Sequence, residues 1–174
     1  MCTDGSQPNG LVQATNGDFY ATAEWGGANA DGTVFKITPT GTLTTLYSFC
    51  SQSGCTDGDD PVGALVQDTN GAFYGTTQEG GANNDGTVFS LSAGLGPFVK
   101  TLPTSGKVGA AVKILGTDLT GATSVSFYGT AATFTVASRY SITTTVPTGA
   151  TTGTVQVVTP GGTLLSNAPF RVLP

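Results

Sequence analysis

Three aspartates, two cysteines and one tryptophan are the groups in this 174-residue sequence that could do the most chemistry. Asp57, Asp59 and Asp60 stand in the run TDGDDP and offer oxygen atoms of the kind that hold Ca2+. The run lacks the spaced acidic ladder and the closing Glu of a calcium loop, so a solvated acidic turn is the simpler reading. Cys50 and Cys55 bracket Ser-Gln-Ser-Gly, a short loop that can bring two sulfurs together. In an oxidising compartment the pair forms a disulfide; the alternative is two free thiols. Trp25 is the only tryptophan. If exposed it can stack on a sugar ring as a ligand-binding residue, and if buried it is a packing residue.

The groups a catalyst would need are missing. There is no His, which removes the commonest general base and the commonest metal ligand. No Gly-rich loop runs into a Lys, and no Ser or Cys stands in a nucleophile elbow. Gly26-Gly27-Ala28 and Gly80-Gly81-Ala82 are not followed by helical patterns, so they read as turns and not as dinucleotide loops. No catalytic residue, cofactor or metal site is expected.

Strands and turns must position these groups. Gly contributes 26 residues, charged residues only 10% of the chain, and no dozen-residue stretch carries an uninterrupted helical period. An all-β fold is expected. No apolar run is long enough to span a membrane, and no basic segment with an apolar core opens the chain as a signal peptide. The first 96 residues hold ten acids against Lys36, a net of −9. The remainder hold five bases against Asp118, a net of +4. This asymmetry divides the chain into two modules and argues against nucleic-acid binding by the first. The five bases of the second are scattered, with no basic cluster or interleaved aromatics, so they too read as a solvated surface.

Residues 11–36 and 65–90 are one segment written twice, identical at 18 of 26 positions with an offset of 54. Such a period marks a supersecondary unit that buries its apolar face against its neighbours. Within it, Leu11–Thr15, Asp18–Ala23, Thr33–Thr38 and the stretch Leu43, Thr45, Tyr47 and Phe49 read as four strands separated by Asn16-Gly17, Gly26-Gly27, Asp31-Gly32 and Pro39–Gly41. Four short strands in about fifty residues is the size of a β-propeller blade. Phe19, Tyr20, Phe73 and Tyr74 recur in both copies and are expected as core between blades. Trp25 answers to Glu79, so the blade does not require an aromatic there. Cys-Thr-Asp-Gly at Cys2–Gly5 echoes Cys55–Gly58, which implies that the chain begins partway through an earlier copy and leaves Cys2 an orphan.

The run Gly-Xaa-Phe-Tyr-Xaa-Thr, then Gly-Gly-Ala-Asn, Asp-Gly-Thr-Val-Phe and Leu-Tyr-Ser-Phe, resembles the GloVer tandem repeat of bacterial surface proteins over residues 1–92. That resemblance implies export and surface display, with about two incomplete blade repeats in residues 1–94. From Pro97 the pattern changes. Val112 and Ile114, Val125 and Phe127, Val155 and Val157, and Phe170 and Val172 alternate between turn clusters, some seven strands in all. Pro103–Gly106, Gly116–Leu119, Val125–Gly129, Val146-Pro147, Pro160–Gly162 and Phe170–Val172 resemble the IPT/TIG family. That resemblance implies an immunoglobulin-like β-sandwich over residues 97–174, used as a spacer or interaction module. The function expected is non-catalytic: extracellular or cell-surface binding and adhesion, with a glycan or a surface protein as partner. One alternative is a structural subunit that self-associates through blade edges into a filament or ring. Another is the accessory region of a polysaccharide-degrading enzyme.

Overall fold

The computed structural model describes residues 2–174. It is all-β, and the described residues form two compact units. One runs up to Asp68 and resumes over Ala72–Leu95, and the other comprises Thr69–Gly71 and Gly96–Pro174.

The first unit contains β1 (Ser6–Pro8), β2 (Val12–Gln13), β3 (Phe19–Trp25), β4 (Thr33–Ile37), β5 (Leu43–Ser48), β6 (Val66–Gln67), β7 (Phe73–Thr76) and β8 (Val88–Leu91). The first copy of the repeat builds a sheet in the order β1-β3-β4-β5, with β2 also paired to β3. The Asn16-Gly17 turn sets the β2–β3 hairpin. Gly17 takes φ 85°, its N–H donates to the Ala14 carbonyl at 2.9 Å, and the Asp18 N–H donates to Asn16 Oδ1 at 3.1 Å. The second copy repeats that register, Val66 opposite Tyr74 as Val12 is opposite Tyr20. Its sheet stops at three strands, β6-β7-β8, because the stretch that matches β5 by the 54-residue offset contains Val99–Leu102, a strand that pairs with Ala111–Gly116 in the second unit instead.

Residues paired across a sheet share a face. Val12, Tyr20, Thr22 and Val34 form the back of the first sheet, and Gln13, Phe19, Ala21 and Phe35 its front. The back packs against the front of the second sheet in one core of Ala14, Tyr20, Val34, Phe49, Leu65 and Phe73. The Tyr20 and Phe73 rings stack there, 4.2 Å apart and 26° from coplanar. Thr22, also buried, donates its hydroxyl to the Gly63 carbonyl at 2.9 Å.

The expected role of the four recurrent aromatics needs correcting. Tyr20 and Phe73 are buried, Phe19 is half-buried and Tyr74 is exposed. Adjacent strand residues point to opposite faces, and each copy has only one face covered by the other. The first copy therefore buries its Tyr and the second its Phe.

The second unit contains ten strands where some seven were expected, because three of them are only three residues long. They are β9 (Val99–Leu102), β10 (Ser105–Lys107), β11 (Ala111–Gly116), β12 (Ser124–Phe127), β13 (Thr130–Ala132), β14 (Phe134–Ser138), β15 (Ser141–Thr145), β16 (Val155–Thr159), β17 (Gly162–Leu165) and β18 (Arg171–Leu173). Two four-stranded sheets, β14-β15-β11-β9 and β13-β12-β16-β17, are accompanied by a parallel β10–β18 pair. The alternating residues Val112, Ile114, Val125, Phe127, Val155 and Val157 are all buried, as is Phe170, whose ring meets Phe127 edge-on at 5.1 Å. None of the sheets closes into a barrel.

Candidate functional site

Trp25 ends β3, where its backbone is paired with Ser6 of β1. Its side chain is 42% exposed, and the indole Nε1 donates to Gln7 Oε1 at 3.2 Å. The ring is thus displayed and held at one edge by a polar neighbour, a combination suited to stacking on a flat, hydroxylated ligand. Behind it the chain makes a tight corner at Gly26, φ 87°, which a Cβ would drive to 2.5 Å from the Cys2 carbonyl. The second copy repeats the corner at Gly80, φ 76°, against the Cys55 carbonyl. The corner is a property of the repeat, whereas the displayed indole belongs to the first copy alone.

Cys50 and Cys55 form a disulfide, and Cys2 is an exposed free thiol. Asp57 organises the enclosed loop. One of its carboxylate oxygens accepts from Tyr47 OH at 2.6 Å, Ser51 Oγ at 2.7 Å and Ser51 N–H at 2.9 Å. The other accepts from the Gln52 N–H at 3.1 Å. Burial alone would push its pKa up, but these donors outweigh it and hold Asp57 well below the usual carboxylate range. Tyr47 is shifted up, by burial first and then by its bond to Asp57. Asp57 is therefore a saturated hydrogen-bond acceptor within its own loop, not a ligand waiting for Ca2+.

Asp59 and Asp60 take a different part. The Asp59 backbone pairs antiparallel with Glu79, and the Asp60 N–H donates to the Asp31 carbonyl at 3.2 Å. One carboxylate oxygen of each is buried without a hydrogen-bond partner. Burial first, then the charge of Asp59, a hydrogen bond shared with it, and the charges of Glu79 and Glu24 raise Asp60 to about 6. Asp31 is raised by burial and by Asp59. The acidic group thus spans Glu24, Asp31, Asp59, Asp60 and Glu79, of which only Asp59 and Asp60 stood out in the sequence. No local signal could have added the others, because Glu79 and Asp31 reach the pair through backbone contacts between segments far apart in sequence, and Glu24 acts on Asp60 through space. Asp31 also lies with the Cys50 and Cys55 sulfurs within 4.8 Å, but both sulfurs are spent in the disulfide.

The sequence model of a family described as the Gloeobacter/Verrucomicrobia repeat matches residues 1–166. The chain belongs to that repeat family. The Gloeobacter/Verrucomicrobia repeat accounts for the doubled hairpins, the doubled glycine corners and the GloVer resemblance of the first unit. Among solved structures, this repeat chain resembles a crystal structure of gamma-CGTase from an alkalophilic Bacillus clarkii, with 19% identity and a TM-score of 0.39. That match covers 90% of this chain and 24% of the other. No curated protein matches the chain.

Proposed function

We propose that this chain is a non-catalytic binding module of an exported bacterial surface protein. In this reading the first unit consists of propeller-type blades and the second is an immunoglobulin-like IPT/TIG sandwich that spaces or presents them. The displayed Trp25, anchored by Gln7, carries the reading and makes a glycan the favoured ligand class. The Cys50–Cys55 disulfide is compatible with an oxidising, extracellular setting, and no helix among the described residues is long and apolar enough to cross a membrane.

The single tryptophan makes the test direct. A soluble oligosaccharide panel is titrated into the full chain while indole fluorescence is followed. A hit that shifts Trp25 emission and weakens at least about tenfold in Trp25→Ala is expected. A hit that survives Trp25→Ala unchanged, or a panel with no hit, overturns the assignment.

A further inference from the structure

Both copies of the repeat build the same hairpin and the strand beside it, and they part at the next strand. In the first copy β4 is an inner strand, held on one side by β3 and on the other by β5, with Val34 opposite Tyr47, Lys36 opposite Thr44 and Ile37 opposite Leu43. Its counterpart β8 is paired on one side only, with β7. The chain's own stretch at the offset of β5 is engaged with Ala111–Gly116. An inner strand of the repeat has thus become an edge. The ladder decides which backbone groups that edge presents. The Thr77 N–H donates to the Thr87 carbonyl at 2.9 Å, so Thr87, Phe89 and Leu91 face β7. The N–H and C=O groups of Val88 and Ser90 therefore point outward. Edges are ordinarily blunted by a charge, a proline or a bulge. β8 reads Val-Phe-Ser-Leu and pairs with β7 in unbroken register, so it has none of these, and Ser90 stands where the first copy carries Lys36.

Beside this edge lies a cavity of about 220 Å³, lined by Val34, Tyr47 and Phe49 of the first copy and by Phe89, Ser90 and Leu91. Its aromatic wall is fixed in place. The Phe49 ring meets Tyr47 edge-on at 5.2 Å and Phe89 at 4.9 Å, and Tyr47 OH donates to Asp57. We propose that the edge of β8 and this cavity form a strand-addition site for an extended segment of a partner protein, alternating apolar and hydroxyl residues and flanked by lysine or arginine. The β4–β5 pair is the template. In its register the guest runs antiparallel to β8, sets its equivalents of Thr44 and Tyr47 opposite Ser90 and Val88, and exchanges main-chain hydrogen bonds with them. Its equivalent of Leu43, opposite Leu91, shares the face of Leu91 and Phe89 and enters the cavity. The main-chain bonds supply affinity and the cavity selects the side chain. The basic flanks answer the net −9 of residues 1–96. The site uses neither Trp25 nor Gln7, so the inference is independent of the glycan reading.

The test uses a fluorescein-labelled peptide with the sequence of Leu43–Phe49 and a lysine at each end, titrated with the full chain while anisotropy is followed. Saturable binding is expected. Ser90→Pro removes one outward N–H without touching a bond to β7 and should weaken binding about tenfold, the worth of one main-chain bond at the top of its range. In the peptide, an N-methyl group on the Thr44 nitrogen, which faces β8, should weaken binding by a similar factor. The same group on the Thr45 nitrogen, which faces away, should leave it unchanged. Glutamate in place of the flanking lysines should weaken it as well. No binding, equal effects of the two N-methyl groups, or a glutamate-flanked peptide held as tightly as the lysine-flanked one each overturns the proposal. An unchanged melting temperature checks that Ser90→Pro is folded, and the N-methylated pair decides the matter on the parent chain if it is not.

Discussion

Phe19 and Phe73 occupy the same place in two copies of one repeat, and replacing each with Ala isolates the contribution of the neighbour. Phe73 is fully buried and stacked on Tyr20, so Phe73→Ala removes a whole ring from a closed core. Such truncations cost about 3–5 kcal/mol. The stacked partner accounts for about 0.5–1.5 kcal/mol of that, since an aromatic pair is worth this much beyond its area. Phe19 is only half-buried. Its ring has roughly half of that burial to lose, and Phe19→Ala should cost about 0.8–1.5 kcal/mol, scaled from full burial of such a side chain. Trp25 is the only indole and lies in the first unit, so thermal unfolding followed by its fluorescence reports that unit alone. With about 4–8 °C per kcal/mol for a domain of this size, Phe73→Ala should lower its melting temperature by well over ten degrees, and Phe19→Ala by far less. Equal losses at the two positions would refute the idea that the repeats are held together by one copy's back against the other's front.

Two further predictions concern charge and backbone. Asp60, at about 6, lies above its unfolded value, so the native state holds its proton more tightly and stability falls as pH rises from about 4 through 6. Asp57 lies below its unfolded value, so its contribution is complete above about 4 and is lost as pH falls further. The urea midpoint should therefore peak near pH 4–5, with Asp60→Asn flattening the upper limb; a midpoint rising steadily to pH 7 would remove the acidic group from the account. Gly80→Ala places a Cβ 2.6 Å from the Cys55 carbonyl and 2.7 Å from Gly58 Cα, both backbone, at φ 76°. It should cost about 2–5 kcal/mol by thermal melting, summing left-handed strain and overpacking. Gly17→Ala, at φ 85° in open space, should show only the strain of about 1–2 kcal/mol.

The all-β class, the Asn-Gly hairpin of the first copy and the alternating core of the second unit could be read from the sequence because each depends on neighbours within a few residues. The short spacing of Cys50 and Cys55 allowed either a disulfide or two free thiols, and the structure has the disulfide. The burial of Phe19, Tyr20, Phe73 and Tyr74 could not be read from the sequence. Identical dipeptides have different fates because burial belongs to whatever covers the sheet and not to the strand. The acidic group escaped for a similar reason: Glu79 meets Asp59 and Asp31 meets Asp60 through backbone pairing between segments distant in sequence, and the charge of Glu24 acts on Asp60 through space. The short second sheet was hidden because the matching stretch, Val99–Leu102, keeps a strand pattern but pairs within the second unit.

The loop around Asp57 is fastened twice, once by a covalent bond and once by a single carboxylate that gathers four donors from Tyr47, Ser51 and Gln52. Opening the sulfur bridge therefore leaves the second fastening in place. The two freed thiols stay tethered side by side at a high effective concentration, so once one has formed a mixed disulfide with an external disulfide oxidant, the other expels the oxidant's thiol in an intramolecular step. Asp57 gives the loop a shape memory that outlasts its covalent link.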